Sequence, residues 1–255
     1  MSRLMKTNFM RLWKDKIFWA GVVVMVCSAL YKTISILIVY SYSEPGDVAL
    51  SNVFFKYTTY ILIIGCVFCS LYIGTEYSDG TIRNKLIMGH RRRNIYCANL
   101  IVCIIANLIM CLAYIVASLI SLSLGFYTSI TDTLLGILCS FLLVCSVTSL
   151  FTMIAMLSKR KTVATVICVV LSFLLLLYAY KIRNEVCMAR QNGVEKPFYE
   201  FLYSFLPGCQ AVQLANEPEM FNTTSPMLRI LYAIVLFVLT TGIGILLFRK
   251  KIWNK

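Results

Sequence analysis

The side chains able to do chemistry gather in one stretch, Glu76-Tyr-Ser-Asp-Gly-Thr-Ile-Arg-Asn-Lys-Leu-Ile-Met-Gly-His-Arg-Arg-Arg93, which lies between two long apolar runs. Charge in such a place can serve catalysis, metal binding or recognition of another protein. Catalysis needs a nucleophile beside an oriented base, and no such pair is visible. His90 is the sole histidine, in a basic loop beside Arg91, which points to neither a metal nor an acid–base role. No H-E-x-x-H, no G-x-S-x-G and no phosphate-binding G-x-x-x-x-G-K-[ST] occurs anywhere in the chain. Cys66 and Cys69 fall inside an apolar run, and no cysteine or histidine cluster has metal-ligand spacing. No catalytic residue and no metal ligand is therefore assigned, which leaves recognition.

The local signals in this stretch predict a short helix over about 79–89. Asp79 is placed as its N-cap, Gly80 and Thr81 lead in, and Gly89 stops it. A helix this short does not repay nucleation in water, so something must dock against it. Ile82 and Leu86 share a face at i, i+4 spacing, flanked by Arg83 and Lys85. The expected surface is an apolar knob with a basic collar. The plainer alternative is a solvated loop whose charge only sets topology.

Composition says what carries this stretch. Hydrophobic residues make up 60% and charged residues 14% of 255 positions, and mean hydropathy is +0.81. Soluble domains average about 25% charged, so the expected class is an all-α integral membrane protein. The net charge of +13 lies at the ends of apolar runs, without the aromatic interleaving of a nucleic-acid groove. A nucleic-acid partner is not expected.

Residues 1–16 predict a basic amphipathic elbow helix in the membrane interface. Met5, Phe9, Leu12 and Trp13 form its apolar arc, with Arg3, Lys6, Arg11 and Lys14 opposite. The rest, 17–255, is a six-span domain with spans at about 17–39, 53–75, 95–124, 134–157, 163–180 and 228–248. The run after Lys16 is too long for a cleavable signal and lacks its small-residue exit. Lys32 lies close enough to the far interface to snorkel, and Lys56 marks the outer edge of the second span. Asn99 and Asn107 are expected as hydrogen-bond partners between helices. Lys159-Arg160-Lys161 forms a tight basic turn. The loop 181–226 holds an aromatic segment broken at Pro207-Gly208, too short to cross, which predicts a pair of re-entrant helices. Cys187 and Cys209 fall in this loop, and their spacing leaves a bridge open. Lysine and arginine gather at the N-terminus, 83–93, 159–161 and 249–255. By the positive-inside rule both termini are cytoplasmic and the 181–226 loop is external.

The order of elbow, six spans, charged helix after the second span and external aromatic Leu-Pro segment resembles the permease subunits of export-type (type 2) ABC transporters. Gly74-Thr-Glu-Tyr-Ser-Asp-Gly-Thr-Ile-Arg-Asn-Lys-Leu-Ile87 is similar to the coupling-helix motif of those permeases. Ser204-Phe-Leu-Pro-Gly-Cys-Gln-Ala211 resembles their external re-entrant segment, in which Phe205, Leu206, Pro207 and Gly208 would form the turn. The resemblance implies that Glu76, Asp79, Gly80, Thr81, Ile82, Arg83, Lys85 and Leu86 meet a separate ATP-binding subunit, with Lys159, Arg160 and Lys161 as a second coupling turn. It implies two such ATPases, a second permease chain, identical or paralogous, and surrounding lipid. ATP and magnesium would bind the partner ATPase, and this chain would hold no cofactor. The substrate would be amphipathic or lipidic, such as an antimicrobial peptide or drug, moved across a bacterial cytoplasmic membrane through faces of the first, second and fifth spans. Against this stand a channel or sensory anchor that needs no ATPase, and a membrane enzyme acting on lipids. No carboxylate falls inside a predicted span, which weighs against an ion-coupled carrier.

Overall fold

The computed structural model describes residues 2–42, 51–120, 130–158, 160–194, 196–216 and 225–250, and every regular element among them is a helix. In chain order these are α1 (Ser2–Lys14), α2 (Lys16–Tyr42), α3 (Ser51–Phe54), α4 (Tyr57–Ser78), α5 (Thr81–Ile87), α6 (Arg92–Ser118), α7 (Ile130–Leu157), α8 (Lys161–Gln191), α9 (Pro197–Phe205), α10 (Pro207–Asn216) and α11 (Pro226–Lys250). Six of them, α2, α4, α6, α7, α8 and α11, are long and apolar enough to cross a membrane. The chain is an all-α, multi-pass membrane protein, the class expected, because only a helix satisfies its own backbone amides in lipid.

The bundle is built around α4, which packs against α2, α6, α7, α8 and α10. Leu62, Cys66, Phe68, Cys69, Tyr72 and Ile73 of α4 are buried. The peripheral helices turn apolar side chains outward instead: Val23 and Val24 on α2, Val166 and Leu177 on α8, Val238 and Leu246 on α11. Acyl chains solvate such faces as well as another helix would, so contact between spans depends on close packing and on polar bridges. Asn107 supplies one bridge, donating to Thr148 Oγ1 at 2.8 Å. Tyr57 and Ser140 share another, and Ser149 and Thr240 a third.

Three contacts fix the sides. The Arg11 guanidinium of α1 reaches the end of α4, the Tyr77 hydroxyl donates to the Met156 carbonyl at 2.5 Å, and Arg92 Nη1 donates to the Arg249 carbonyl at 3.3 Å. The ends of α4, α7 and α11 therefore share one side with α1 and with the start of α6. The opposite side carries α3, α9 and α10.

The boundaries differ from the hydropathy reading mainly at α8. It runs 31 residues and takes in Lys181–Gln191, which the apolar run excluded. Ile182, Val186 and Ala189 keep one face of that extension buried, and helical periodicity continues after hydropathy falls. The helix ends at Gly193, φ 67°, where the Val194 amide donates back to the Ala189 carbonyl at 2.8 Å. The second span starts at Tyr57, after the separate turn α3. All eleven cysteines are free thiols, so Cys187 and Cys209 are not bridged, and Cys209 is buried.

On the α3 side the chain makes the expected helix pair. Pro207 pushes Leu206 out of the helical region, to φ −71°, ψ 130°, and so ends α9. The freed carbonyls of that last turn are taken by side chains of α10: Gln210 Nε2 donates to Ser204 O at 2.8 Å, and Gln213 Nε2 to Tyr203 O at 3.1 Å. Thr58 Oγ1 of α4 donates to Ala211 O at 2.9 Å, which seats α10 on the bundle. Gly208 allows this approach, because a Cβ there would lie 2.6 Å from the Leu175 carbonyl oxygen of α8. Gly208→Ala should cost about 1–3 kcal/mol through this backbone clash, read as a lower melting temperature in detergent. Gly242→Ala on α11, which meets nothing within 4 Å, should leave that temperature unchanged or higher.

Candidate functional site

The charged stretch folds into the end of α4, the seven-residue helix α5 and the start of α6. Gly80 makes the first corner, with φ 67° that only glycine adopts cheaply. The Thr81 hydroxyl donates to the Glu76 carbonyl at 3.0 Å and so closes the corner. Asp79, expected as the N-cap of α5, is instead the C-terminal cap residue of α4, exposed and beside the Ser78 hydroxyl at 3.3 Å. The helical run of α4 continues past Thr75 to Ser78, so the cap position moves one residue on, to Gly80. At the other end Gly89 has φ 83°. Its amide donates to Leu86 O at 3.0 Å and that of His90 to Lys85 O at 3.2 Å. This double closure is a glycine-terminated helix end, as the sequence suggested.

At the centre lies the Glu76 carboxylate, with no exposed surface. It sits in the last turns of α4, where no buried acid was expected. Three side chains from three other helices meet it. Arg11 Nη1 of α1 is 2.8 Å from Oε1, Lys85 Nζ of α5 is 2.6 Å from the same oxygen, and Asn99 Nδ2 of α6 donates to Oε2 at 2.6 Å. Asn8 of α1 closes the ring. Its amide donates to Asn99 Oδ1 at 2.8 Å, and its Oδ1 accepts from Lys85 Nζ at 3.0 Å. The Tyr72 hydroxyl donates to the Asn8 carbonyl at 3.1 Å.

Two cations around one carboxylate leave an excess positive charge. The C-terminal turns of α4 absorb it: Arg11 Nη2 donates to the Tyr72 carbonyl at 2.9 Å and to the Thr75 hydroxyl, at the negative end of the helix dipole. The guanidinium also lies 4.6 Å from the centre of the Tyr72 ring. No reaction follows from this arrangement, because every polar atom of the carboxylate is engaged and no cavity exposes it. Its physical effect is to tie α1, α4, α5 and α6 into one unit.

Several expected roles change with this geometry. Ile82, read as the outward knob, is fully buried within this chain, and Lys85, read as part of its collar, is buried on Glu76. Leu86 is half-buried. What α5 presents outward is Arg83 and Asn84, with Ile87 at 73% and Met88 at 69% exposure. Arg11, placed on the polar face of the elbow, turns inward. Leu12 is buried, Met5 and Phe9 pack against the core, and Trp13 faces outward with its neighbour Trp19. Asn8 escaped notice although Leu4, Asn8 and Leu12 form a buried i, i+4, i+8 stripe. A polar residue inside an apolar stripe is the trace that a buried partner leaves in sequence. Of the basic turn, Lys159 lies outside the described residues. Arg160 is exposed, and the Lys161 stem packs against Gly74 at the end of α4.

The sequence family described as ABC-2 family transporter protein matches residues 4–176, from α1 into the middle of α8. That is more than half of the chain and contains every member of the Glu76 network. The chain belongs to the ABC-2 transporter membrane family. No curated protein matches it. Members of this family are non-catalytic membrane components that work with ATP-binding subunits. In this ABC-2 permease the buried network therefore couples structure rather than chemistry. The match stops short of α9, α10 and α11, so the helix pair rests on its own packing.

Glu76→Gln should destabilise the permease by about 3–5 kcal/mol, because Lys85 then stays buried, and Arg11 partly buried, without a counter-charge. Glu76→Leu with Lys85→Met should cost less than Glu76→Gln alone, since it also removes the buried cation and leaves only the partly exposed Arg11. Thermal melts of the purified chain in detergent give both orders.

Proposed function

We propose that this ABC-2 permease is the transmembrane subunit of an ATP-driven exporter of an amphipathic or lipidic substrate, of the kind of an antimicrobial peptide or drug. The observation that carries the reading is the two-sidedness of α5. One face is locked to the bundle by Ile82 and by Lys85 on Glu76. The other shows Ile87 and Met88, exposed and outside the six helices long and apolar enough to cross a membrane. An exposed apolar pair with Arg83 and Asn84 beside it suits a groove of a partner protein.

In this reading the α1 side is cytoplasmic, with both termini there, and the membrane is a bacterial cytoplasmic membrane. Two ATP-binding subunits carry the ATP and magnesium. Closure of these two subunits, driven by ATP, pushes α5 and the turn at Arg160 and Lys161. The push on α5 reaches α4 and α6 directly and the elbow α1 through Arg11, so the four helices move together. A second permease chain, identical or paralogous, completes the path. The far-side helix pair around Phe205, Leu206, Pro207 and Gly208 caps it.

Two surface changes test the reading. Ile87→Glu with Met88→Glu should weaken capture of an ATP-hydrolysing subunit from native membranes and abolish transport-coupled hydrolysis, without lowering the melting temperature. Ile82→Asp should lower the melting temperature itself, by the cost of a buried charge, several kcal/mol. Normal coupling in the Ile87, Met88 variant defeats the docking assignment. Native membranes that yield the chain with no ATPase favour a channel or anchor.

A further inference from the structure

On the α1 side the start of α6 meets the end of α11. Arg92 Nη1 donates to the Arg249 carbonyl at 3.3 Å. One turn deeper the Tyr96 and Phe248 rings lie 6.2 Å apart. A Cβ at Gly244 would collide with the Tyr96 hydroxyl, so the two helices stay close over more than one turn. Cations border this seam from both sides. Arg91 and Arg93 flank Arg92 in the chain, Lys250 follows Arg249, and the side chains of Arg91, Arg93, Arg249 and Lys250 are all exposed. Neither α6 nor α11 contains an aspartate or a glutamate.

We propose that this seam binds an anionic phospholipid of the phosphatidylglycerol kind, with Arg91, Arg93, Arg249 and Lys250 around its phosphodiester. Each helix sets a cation at the end of an apolar stripe that the bundle leaves open. On α11, Lys250 follows Leu246, Ile243 and Leu239 at i−4, i−7 and i−11, all exposed. On α6, Arg93 precedes Cys97 and Ile101 at i+4 and i+8, both half-buried. These spacings keep each stripe on one helix face. A phospholipid is built to match, with apolar chains that end in an anion.

The stripes favour a lipid over an acidic protein surface. Leu239 lies roughly 16 Å along α11 from Lys250, a depth that acyl chains reach and a soluble partner does not. Guanidinium forks match the acceptor oxygens of a phosphodiester, and each lysine or arginine at the membrane surface adds to the attraction for anionic lipid. A choline head brings a cation of its own and loses that advantage. Topology alone needs a positive excess in the loops; it does not need two basic helix ends packed against each other. The inference rests on the membrane class of the chain and needs no ATPase.

The test titrates the purified full chain in neutral detergent with dioctanoyl phosphatidylglycerol, dioctanoyl phosphatidylcholine and inorganic phosphate, read by calorimetry. Phosphatidylglycerol should bind saturably, with phosphatidylcholine and inorganic phosphate each at least about tenfold weaker. Arg93→Gln with Lys250→Gln should lower the phosphatidylglycerol affinity about tenfold or more. Both side chains are exposed, so the melting temperature without lipid should hold; if that variant unfolds, Arg91→Gln with Arg249→Gln carries the same titration. Equal binding of phosphatidylcholine, equal binding of inorganic phosphate, or unchanged affinity in the variant overturns the proposal. So does an equal loss in Lys6→Gln with Lys14→Gln, two exposed cations of α1, because that reports general surface charge. A variant that keeps its lipid affinity but no longer captures an ATP-hydrolysing subunit from native membranes overturns it in favour of a protein contact. Any of these failures leaves the Ile87 and Met88 result standing, since that result is read from ATP hydrolysis.

Discussion

A carboxylate without access to solvent must be paired or it will not stay ionised at acceptable cost. In this permease that requirement organises the whole α1 side of the molecule. Glu76 draws one cation from the elbow, one from the short helix beyond it and an amide from the third span. None of these four helices can shift alone without exposing or orphaning a charge. Individual hydrogen bonds between spans are worth only about 0.6 kcal/mol on average. A shared buried carboxylate is different, because its loss is felt at every contact together.

This explains how a helix as short as α5 persists. Seven residues cannot hold a helix in water. Here Thr81 anchors its start to the Glu76 carbonyl, Lys85 anchors its middle to the Glu76 side chain, and Ile82 fills the core between them. The residues left outside, Arg83, Asn84, Ile87 and Met88, contribute little to that stability. They are the residues left for the docking proposed above.

The two sides of the bundle differ in kind. The α1 side is locked by charge inside a packed cluster. On the opposite side neutral contacts, Thr58 to Ala211 and the glutamines of α10 to the end of α9, stand beside partly exposed ion pairs of Glu185 with Lys196 and Glu200 with Arg190.

The class, the six spans, the elbow and the broken helix pair were legible in the sequence, because a bilayer admits few solutions. Twenty or so apolar residues must be a helix, and Pro207 must interrupt one. Which face each short polar helix turns inward was not legible. Arg11 and Lys85 look like solvated cations on their own helices, and Ile82 like a free knob. Their partners lie far along the chain, with Arg11 and Glu76 separated by more than sixty positions and Asn8 and Asn99 by 91. Local periodicity cannot choose between two faces of a seven-residue helix. Only the packing of α1 and α6 against the end of α4 puts the carboxylate, both cations and both asparagines in one place.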